Sequence, residues 1–139
     1  MKLKLISVLC ALFCISPLGA CTKGNSTSQE EGPKDDKAKT LVVYFSCTNI
    51  TKGIADRIAN ILSAAEFRIE PVQPYTAADL NYNDRNCRAN QEQSNDAARP
   101  AISNSIADIT AYDIVYVGFP IWWGKMPKIM FTFFDAYDL

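Results

Sequence analysis

The chain has 139 residues, no histidine and a formal net charge of −1. This length favours a single domain, and the lack of histidine excludes a Ser-His-Asp triad, a Cys-His pair and most kinds of zinc site. The mildly acidic balance argues against binding to nucleic acid, which needs clustered lysine and arginine.

Residues 1–20 have the pattern of a bacterial lipoprotein signal peptide. A basic start, MKLK, precedes the apolar run LISVLCALFCISPL, which is shorter than the roughly 20 apolar residues of a membrane-spanning helix. The end of this segment, Leu-Gly-Ala-Cys21, resembles the lipobox of lipoproteins, in which the corresponding cysteine is lipidated. An ordinary signal peptide with an incidental cysteine is the alternative. We expect Cys21 to carry lipid and to anchor the protein in a bacterial cell envelope, on its periplasmic or outer face.

Residues 21–39 are predicted to be a flexible tether, because they contain few apolar residues and much glycine, serine and charge. Without the signal peptide, 12 basic and 15 acidic residues remain, a net charge of about −3. Cys47 and Cys87 are then the cysteines left for the domain, and a disulfide between them is compatible with an oxidising compartment. The sequence contains no CxxC motif, which excludes a thioredoxin-type motif and zinc sites built on that spacing.

The domain is predicted to begin with a buried strand, a short loop and an amphipathic helix. Residues 40–45, TLVVYF, are continuously apolar, as in a strand of a parallel sheet that is covered on both faces. The polar loop SCTNIT follows, and a helix is predicted from about Ile50. Steps of three and four residues place the apolar side chains of this helix on one face. These are Ile54, Ile58, Ile61, Leu62 and Ala65.

The rest of the chain continues the alternation of strands and helices. A second strand is predicted at residues 66–72, a polar surface helix at 85–96 and a short helix at 104–110. A second buried strand is predicted at 113–120 and a final helix at 128–137. This order predicts an α/β domain with a parallel sheet and right-handed crossovers.

The loop after the first strand has the composition of a phosphate site. Ser46, Thr48 and Thr51 offer hydroxyl donors, and Asn49 tolerates the left-handed backbone that turns successive N–H groups inward. The N-terminus of the helix, at about Ile50, adds free N–H groups and the positive end of the helix dipole. Alternatively, Thr48 or Asn49 is simply the helix N-cap.

The loop after the buried strand at 113–120 has the composition of a site for a flat apolar ring. It holds both tryptophans of the chain, Trp122 and Trp123, between Pro120 and Gly124. Indole rings stack well on flat ligands and keep an N–H for a polar neighbour. The alternative is that a tryptophan packs under the loop as core. We expect one indole to point inward and the other toward a ligand, without assigning which.

With S-x-T-x-x-T after one strand and G-F-P-I-W-W-G after another, residues 40–139 resemble the flavodoxin-like family. The resemblance implies a three-layer sandwich and FMN between the first and third strands, where the strand order reverses. The residues expected around the FMN phosphate are Ser46, Thr48, Asn49, Ile50 and Thr51. Those expected beside the ribityl chain and the isoalloxazine ring are Pro120, Ile121, Trp122, Trp123 and Gly124. Where the family commonly has T-G-N-T, this chain has Thr48-Asn49-Ile50-Thr51, so an asparagine side-chain contact from position 50 is lost.

The family fold has five strands in the order 2-1-3-4-5, whereas this sequence predicts only three. We therefore expect a partial domain over residues 40–139 that lacks the last two strands and the glycine-rich flavin loop after the fourth strand. The strand at 113–120 would then be an apolar sheet edge without proline or lysine to protect it. A dimer that covers this edge, or a truncated gene product, would account for the pattern.

Three functions are compatible with the sequence. The first is an FMN-binding oxidoreductase or electron-transfer lipoprotein, in which the flavin supplies the chemistry. The second is a non-enzymatic lipoprotein that uses the tryptophan loop to bind protein or sugar, and the third is an inert truncated fragment. No catalytic or metal-binding residue and no redox partner is assigned. Four residues of the polar segment that could reach a substrate are interpreted mainly as solvated surface. These are Tyr75, Asp79, Asp84 and Arg85.

Overall fold

The computed structural model describes residues 38–139. The predictions for the signal peptide, for lipidation of Cys21 and for nearly all of the tether lie outside this range. None of the helices in the described part of the chain is long and apolar enough to cross a membrane.

The sheet contains three parallel strands: β1 (Thr40–Tyr44), β2 (Ala65–Arg68) and β3 (Ile114–Gly118). Their order is β2-β1-β3, so β1 pairs with both of the other strands. The predicted parallel sheet is therefore confirmed. Because β1 and β3 are neighbours, the loops that follow them leave the same edge of the sheet.

Three α-helices and one 3₁₀ turn complete the described fold. They are α1 (Ile50–Leu62), α2 (Arg88–Ser94), the 3₁₀ turn Ile109–Ala111 and α3 (Lys128–Ala136).

The helices cover both faces of the sheet, as the continuous apolar run in β1 predicts. On one face, Val42 and Tyr44 pack against α1. On the other, Leu41 and Val43 belong to a larger core with residues of α2 and α3, in which Phe133 is fully buried. The predicted three-layer α/β arrangement is therefore confirmed.

The apolar face predicted for α1 is partly wrong. The helix packs on the sheet through Ala55 and Ala59, while Ile54 is 57% and Ile61 80% exposed. Ile58 is half-buried and packs beside the two alanines, and together with Ile54 it lines an open groove beside β3. The two alanines lie one turn apart and have small side chains, so this face allows the helix to approach the strands closely.

Several predicted boundaries also change. The strand predicted at 66–72 ends at Arg68, and Pro71 forms only an isolated antiparallel bridge with Ile102. The side chain of Asn104 holds the end of this strand, because it donates to the carbonyl of Arg68 and accepts from the N–H of Glu70. The helix predicted at 104–110 is only the 3₁₀ turn, and α2 is shorter than the predicted 85–96.

Candidate functional site

The loop between β1 and α1 places a buried hydroxyl next to a helix N-terminus. Ser46 is only 3% exposed, and its Oγ has no hydrogen-bond partner among the described residues. Its carbonyl accepts a hydrogen bond of 3.0 Å from the guanidinium of Arg68. A buried hydroxyl without a partner is costly, so this atom is suited to a ligand that accepts a hydrogen bond from it.

The backbone of this loop turns toward the helix through Asn49. This residue has φ 62° and ψ 4°, which is left-handed backbone that asparagine tolerates well. Its side chain makes no capping hydrogen bond, contrary to the simple N-cap interpretation for Asn49. The first N–H groups of α1 therefore remain free of a side-chain cap, as a phosphate site requires.

The loops after β1 and β3 meet, as the sequence predicts for neighbouring strands. The N–H of Phe45, just after β1, donates to the carbonyl of Gly118, the last residue of β3, at 2.9 Å. A Cβ on Gly118 would lie 3.5 Å from the methyl group of Thr51. The start of α1 therefore lies against the end of β3.

The tryptophan loop closes in a tight turn at residues 122–125. Trp122 and Lys125 exchange two backbone hydrogen bonds of 2.9 Å. The two residues between them have positive φ, 46° for Trp123 and 74° for Gly124. This is the pattern of a type I′ turn, which glycine adopts readily and tryptophan does not.

The two indoles lie in opposite environments. Trp122 is 4% exposed and packs edge-on against Phe45 and Tyr75, with ring centroids 5.7 and 5.3 Å away. Trp123 is 39% exposed and lies beside Tyr82. The structure thus assigns the inward and outward tryptophans, which the sequence could not do.

The remaining predicted site residues lie on the surface of the same two loops. Thr48, Asn49 and Gly124 are exposed, while Thr51 and Pro120 are half-buried. Ile50 and Ile121 are 73% and 64% exposed, unusually high fractions for isoleucine. All ten predicted cofactor residues therefore lie in two adjoining loops and in the first turn of α1, at one edge of the sheet.

Sequence reasoning missed the residue that fixes the tryptophan turn to α2. Gln93 is buried, and its Nε2 donates to the carbonyls of Trp122 and Met126 at 3.2 and 3.3 Å. Its Oε1 accepts from the N–H of Lys128, the first residue of α3. The helix was predicted to be polar surface, and no local pattern distinguishes Gln93 from its exposed neighbour Gln91.

The interpretation of Tyr75 as solvated surface is wrong. Its hydroxyl donates to Glu92 at 2.6 Å, and the guanidinium of Arg88 lies 4.0 Å from its ring centroid. Burial, and then the hydrogen bond to Glu92, raises the pKa of the Tyr75 hydroxyl far above its usual range. Asp84 and Arg85 are exposed as predicted.

The carboxylate of Asp79 also organises the polar segment. It accepts hydrogen bonds from the N–H and the hydroxyl of Thr76, which hold the pKa of Asp79 below its usual value. The Asp79 carboxylate is thus hydrogen-bonded within its own loop.

The two domain cysteines are free thiols, so the disulfide considered between them does not form. Burial raises the pKa of the Cys47 thiol to about 11, against the opposing effect of Arg68. Cys47 is therefore a protonated thiol at neutral pH, although it lies in the first loop. Within residues 38–139, no group of three cysteine, aspartate or glutamate residues is arranged to hold a metal ion.

The comparisons with known proteins agree with this geometry. A family model described as Flavodoxin matches residues 39–139. A candidate flavoprotein of Bacteroides uniformis is 40% identical, with a TM-score of 0.70 over 73% of this chain and 65% of its own. A candidate flavoprotein of Bacteroides eggerthii is 38% identical, with a TM-score of 0.72 over 73% and 64% of the two chains.

A more distant relative was solved with a cofactor. A flavoprotein of Lactobacillus acidophilus in complex with FMN is 26% identical, with a TM-score of 0.59 over 71% of this chain and 66% of its own. The present chain thus spans just under two thirds of the length of these three relatives. The curated proteins gave no match.

Proposed function

This chain belongs to the flavodoxin family, and from that premise we propose that it binds FMN with the loops that follow β1 and β3. The observation that carries the proposal is the buried hydroxyl of Ser46, which has no partner among the described residues. A phosphate group next to it would accept this hydrogen bond together with those of the first turn of α1.

Each loop has a separate role in the proposal. The first loop holds the phosphate through Ser46, Thr48, Asn49, Ile50 and Thr51. The second loop holds the ribityl chain and the ring through Pro120, Ile121, Trp122, Trp123 and Gly124. Within the second loop, the exposed indole of Trp123 offers its face to the isoalloxazine ring. Trp122, packed on Phe45 and Tyr75, supports the turn from below.

Bound FMN would supply one-electron or two-electron transfer. The residues of the two loops bind and orient it, and no side chain is assigned as an acid or a base. We therefore propose an oxidoreductase or electron-transfer role, with the redox partner unassigned.

The proposal is tested by comparing two ligands that differ only in the phosphate. The full-length chain, kept in detergent, is titrated with FMN and with riboflavin while flavin fluorescence is followed. Ser46→Ala should weaken FMN binding by about ten-fold or more, since a charge-assisted hydrogen bond is lost. Riboflavin binding should change by less than about two-fold, because this ligand has no phosphate.

The unliganded stability of Ser46→Ala gives a matched control. Removing a buried hydroxyl without a partner should leave the free energy of unfolding unchanged or raise it by about 1 kcal/mol. No FMN binding by a folded wild-type chain contradicts the proposal and favours the non-enzymatic binding module. An aggregated chain without FMN binding favours the inert fragment.

We also propose that the protein is a lipoprotein of a bacterial cell envelope, from the lipobox-like segment that ends at Cys21. Expression in a bacterial host with a labelled fatty acid should label the wild-type chain. Cys21→Ser should abolish the label, whereas Cys14→Ser, within the apolar run, should retain it. Unlabelled wild-type protein would contradict this proposal.

Finally, we propose that a second copy covers β3. Two side chains of this strand support the proposal, because Ile114 and Tyr116 are 43% and 42% exposed. A strand edge with exposed apolar side chains favours pairing with another chain.

A further inference from the structure

The segment between β2 and α2 forms an internally hydrogen-bonded loop next to the tryptophan turn. Asp79 accepts from Thr76 at one end, and its carbonyl accepts from the N–H of Ala89 in α2 at 3.0 Å. In the middle, the N–H of Asp84 donates to the carbonyl of Asn81 at 3.0 Å. These bonds fix the backbone on both sides of Tyr82.

Tyr82 projects from this loop onto the outward tryptophan. The Tyr82 ring centroid lies 4.6 Å from that of Trp123, with an interplanar angle of 50°. Both side chains are substantially exposed, 56% for Tyr82 and 39% for Trp123. Burial therefore does not account for the pair, and the contact joins two loops that are remote in sequence.

A neighbouring ring such as Tyr82 can orient the Trp123 indole, because the backbone turn alone does not fix the side chain. Its φ of 46° lies in the left-handed region, which a bulky residue adopts only at a cost. The turn is anchored from below by Gln93, which contacts the carbonyl of Trp122 and leaves the Trp123 side chain free. Among the described residues, Tyr82 is the one whose aromatic ring contacts Trp123.

We propose that Tyr82 is a positioning residue of the cofactor site: its ring holds the Trp123 indole so that one indole face stays available to a flat ring. This inference rests on the proposed function. A preorganised indole binds more tightly than one that must be ordered on binding. The phosphate is held by the other loop, so Tyr82 should affect ring binding alone.

The first test measures the indole without any cofactor. In the background Trp122→Phe, Trp123 is the remaining tryptophan, since the chain has only two. Its near-ultraviolet circular dichroism and emission anisotropy then report its orientation alone. Tyr82→Ala should weaken both signals, and Tyr82→Phe should restore them. The control Phe134→Ala removes another exposed aromatic ring, in α3, and should change neither.

The second test measures binding with Trp122 intact. Tyr82→Ala should weaken FMN and riboflavin equally, by about two- to ten-fold, the range expected for one aromatic contact. Tyr82→Phe should stay within about two-fold of wild type for both ligands. This pattern differs from that of Ser46→Ala, which affects FMN only. A general loss of structure in Tyr82→Ala would also reduce the far-ultraviolet circular dichroism signal, which a loss of the Tyr82–Trp123 contact alone would leave unchanged.

The outcomes separate this inference from the proposed function. FMN and riboflavin affinities that are unchanged in Tyr82→Ala overturn the positioning role, as do Trp123 signals that are unchanged. Should a folded wild-type chain bind neither ligand, the proposed function fails and the cofactor role of Tyr82 fails with it. If Tyr82→Ala does not fold, Tyr82→Leu removes the ring while keeping apolar volume, and the same criteria apply.

Discussion

At the residue scale, the two tryptophans show how neighbours in sequence take different roles. Trp122 is buried among aromatic rings, whereas Trp123 lies in the left-handed region at the tip of the turn. Strained backbone at an exposed aromatic residue is typical of functional sites. The physical reason for the strain is that the Cβ of an L-residue with left-handed backbone crowds the neighbouring carbonyl oxygen, which is why an Asn-Gly pair would form this turn more easily.

Substituting the two tryptophans should therefore separate stability from binding. Trp122→Ala should lower the free energy of unfolding by about 3–5 kcal/mol, because it leaves a cavity in the core where the indole packs. Trp123→Asn should change it by less than about 1 kcal/mol, since an easier turn offsets the lost contact with Tyr82. Urea denaturation measures both values. A loss for Trp123→Asn as large as that for Trp122→Ala would contradict the assignment.

The thiol of Cys47 predicts a loss of stability in alkali. Its pKa is 9.0 when unperturbed and about 11 in the folded protein. The unfolded chain therefore releases this proton first, and stability should fall as the pH rises from 9 to 11. Cys47→Ala should reduce the fall in urea midpoint over this window, and a fall as steep as in wild type would count against it. Below pH 9 the two proteins should show no difference in pH dependence from this group.

At the element scale, α2 is short but decides where the tryptophan loop lies. Its buried Gln93 contacts two carbonyls of the loop and one N–H at the start of α3. The helix therefore joins the site to the α3 side of the core. Its neighbour Gln91 is exposed, although both residues are glutamine in the same helix.

Replacing these two glutamines should have unequal effects. Gln93→Leu leaves buried backbone groups without partners and should lower the free energy of unfolding by about 2–4 kcal/mol. Gln91→Leu should change it by less than about 0.5 kcal/mol, as is usual for a surface substitution. The measurement is urea denaturation of both full-length variants. Equal effects would show that Gln93 does not fix the loop.

At the scale of the described domain, the open side of β3 is an apolar surface with exposed side chains. The groove beside it is lined by Ile54 and Ile58 of α1 and by Tyr116 of β3. Most of these side chains remain accessible although they are apolar. An apolar surface next to a strand edge favours association.

Self-association through β3 should respond to charge. Size-exclusion chromatography with light scattering should show a dimer for the wild-type chain and a monomer for Tyr116→Lys, because lysine on an edge strand opposes pairing. The control Val72→Lys also places a lysine at an exposed apolar position, but away from β3, and should remain dimeric. A monomeric wild type would refute the proposed dimer.

The local elements of secondary structure could be predicted from the sequence alone. The apolar run at 40–45 predicts β1 because a strand covered on both faces has no polar positions, and the first polar loop predicts the start of α1 at Ile50. The alternation of elements predicts the parallel sheet. These features follow from backbone periodicity within short windows. The adjacency of β1 and β3, which brings the two loops together, was expected only from the family resemblance and is shown by the fold.

The contacts between distant segments, in contrast, became known only from the folded chain. It selected Trp122 as the buried indole, turned the alanines of α1 toward the sheet and placed the side chain of Asn104 at the end of β2. It also brought Gln93 and Tyr82 to the tryptophan turn. The physical reason is that a side chain's partner across the fold leaves no periodic signal in the sequence, because packing and hydrogen bonding depend on where the other segments lie.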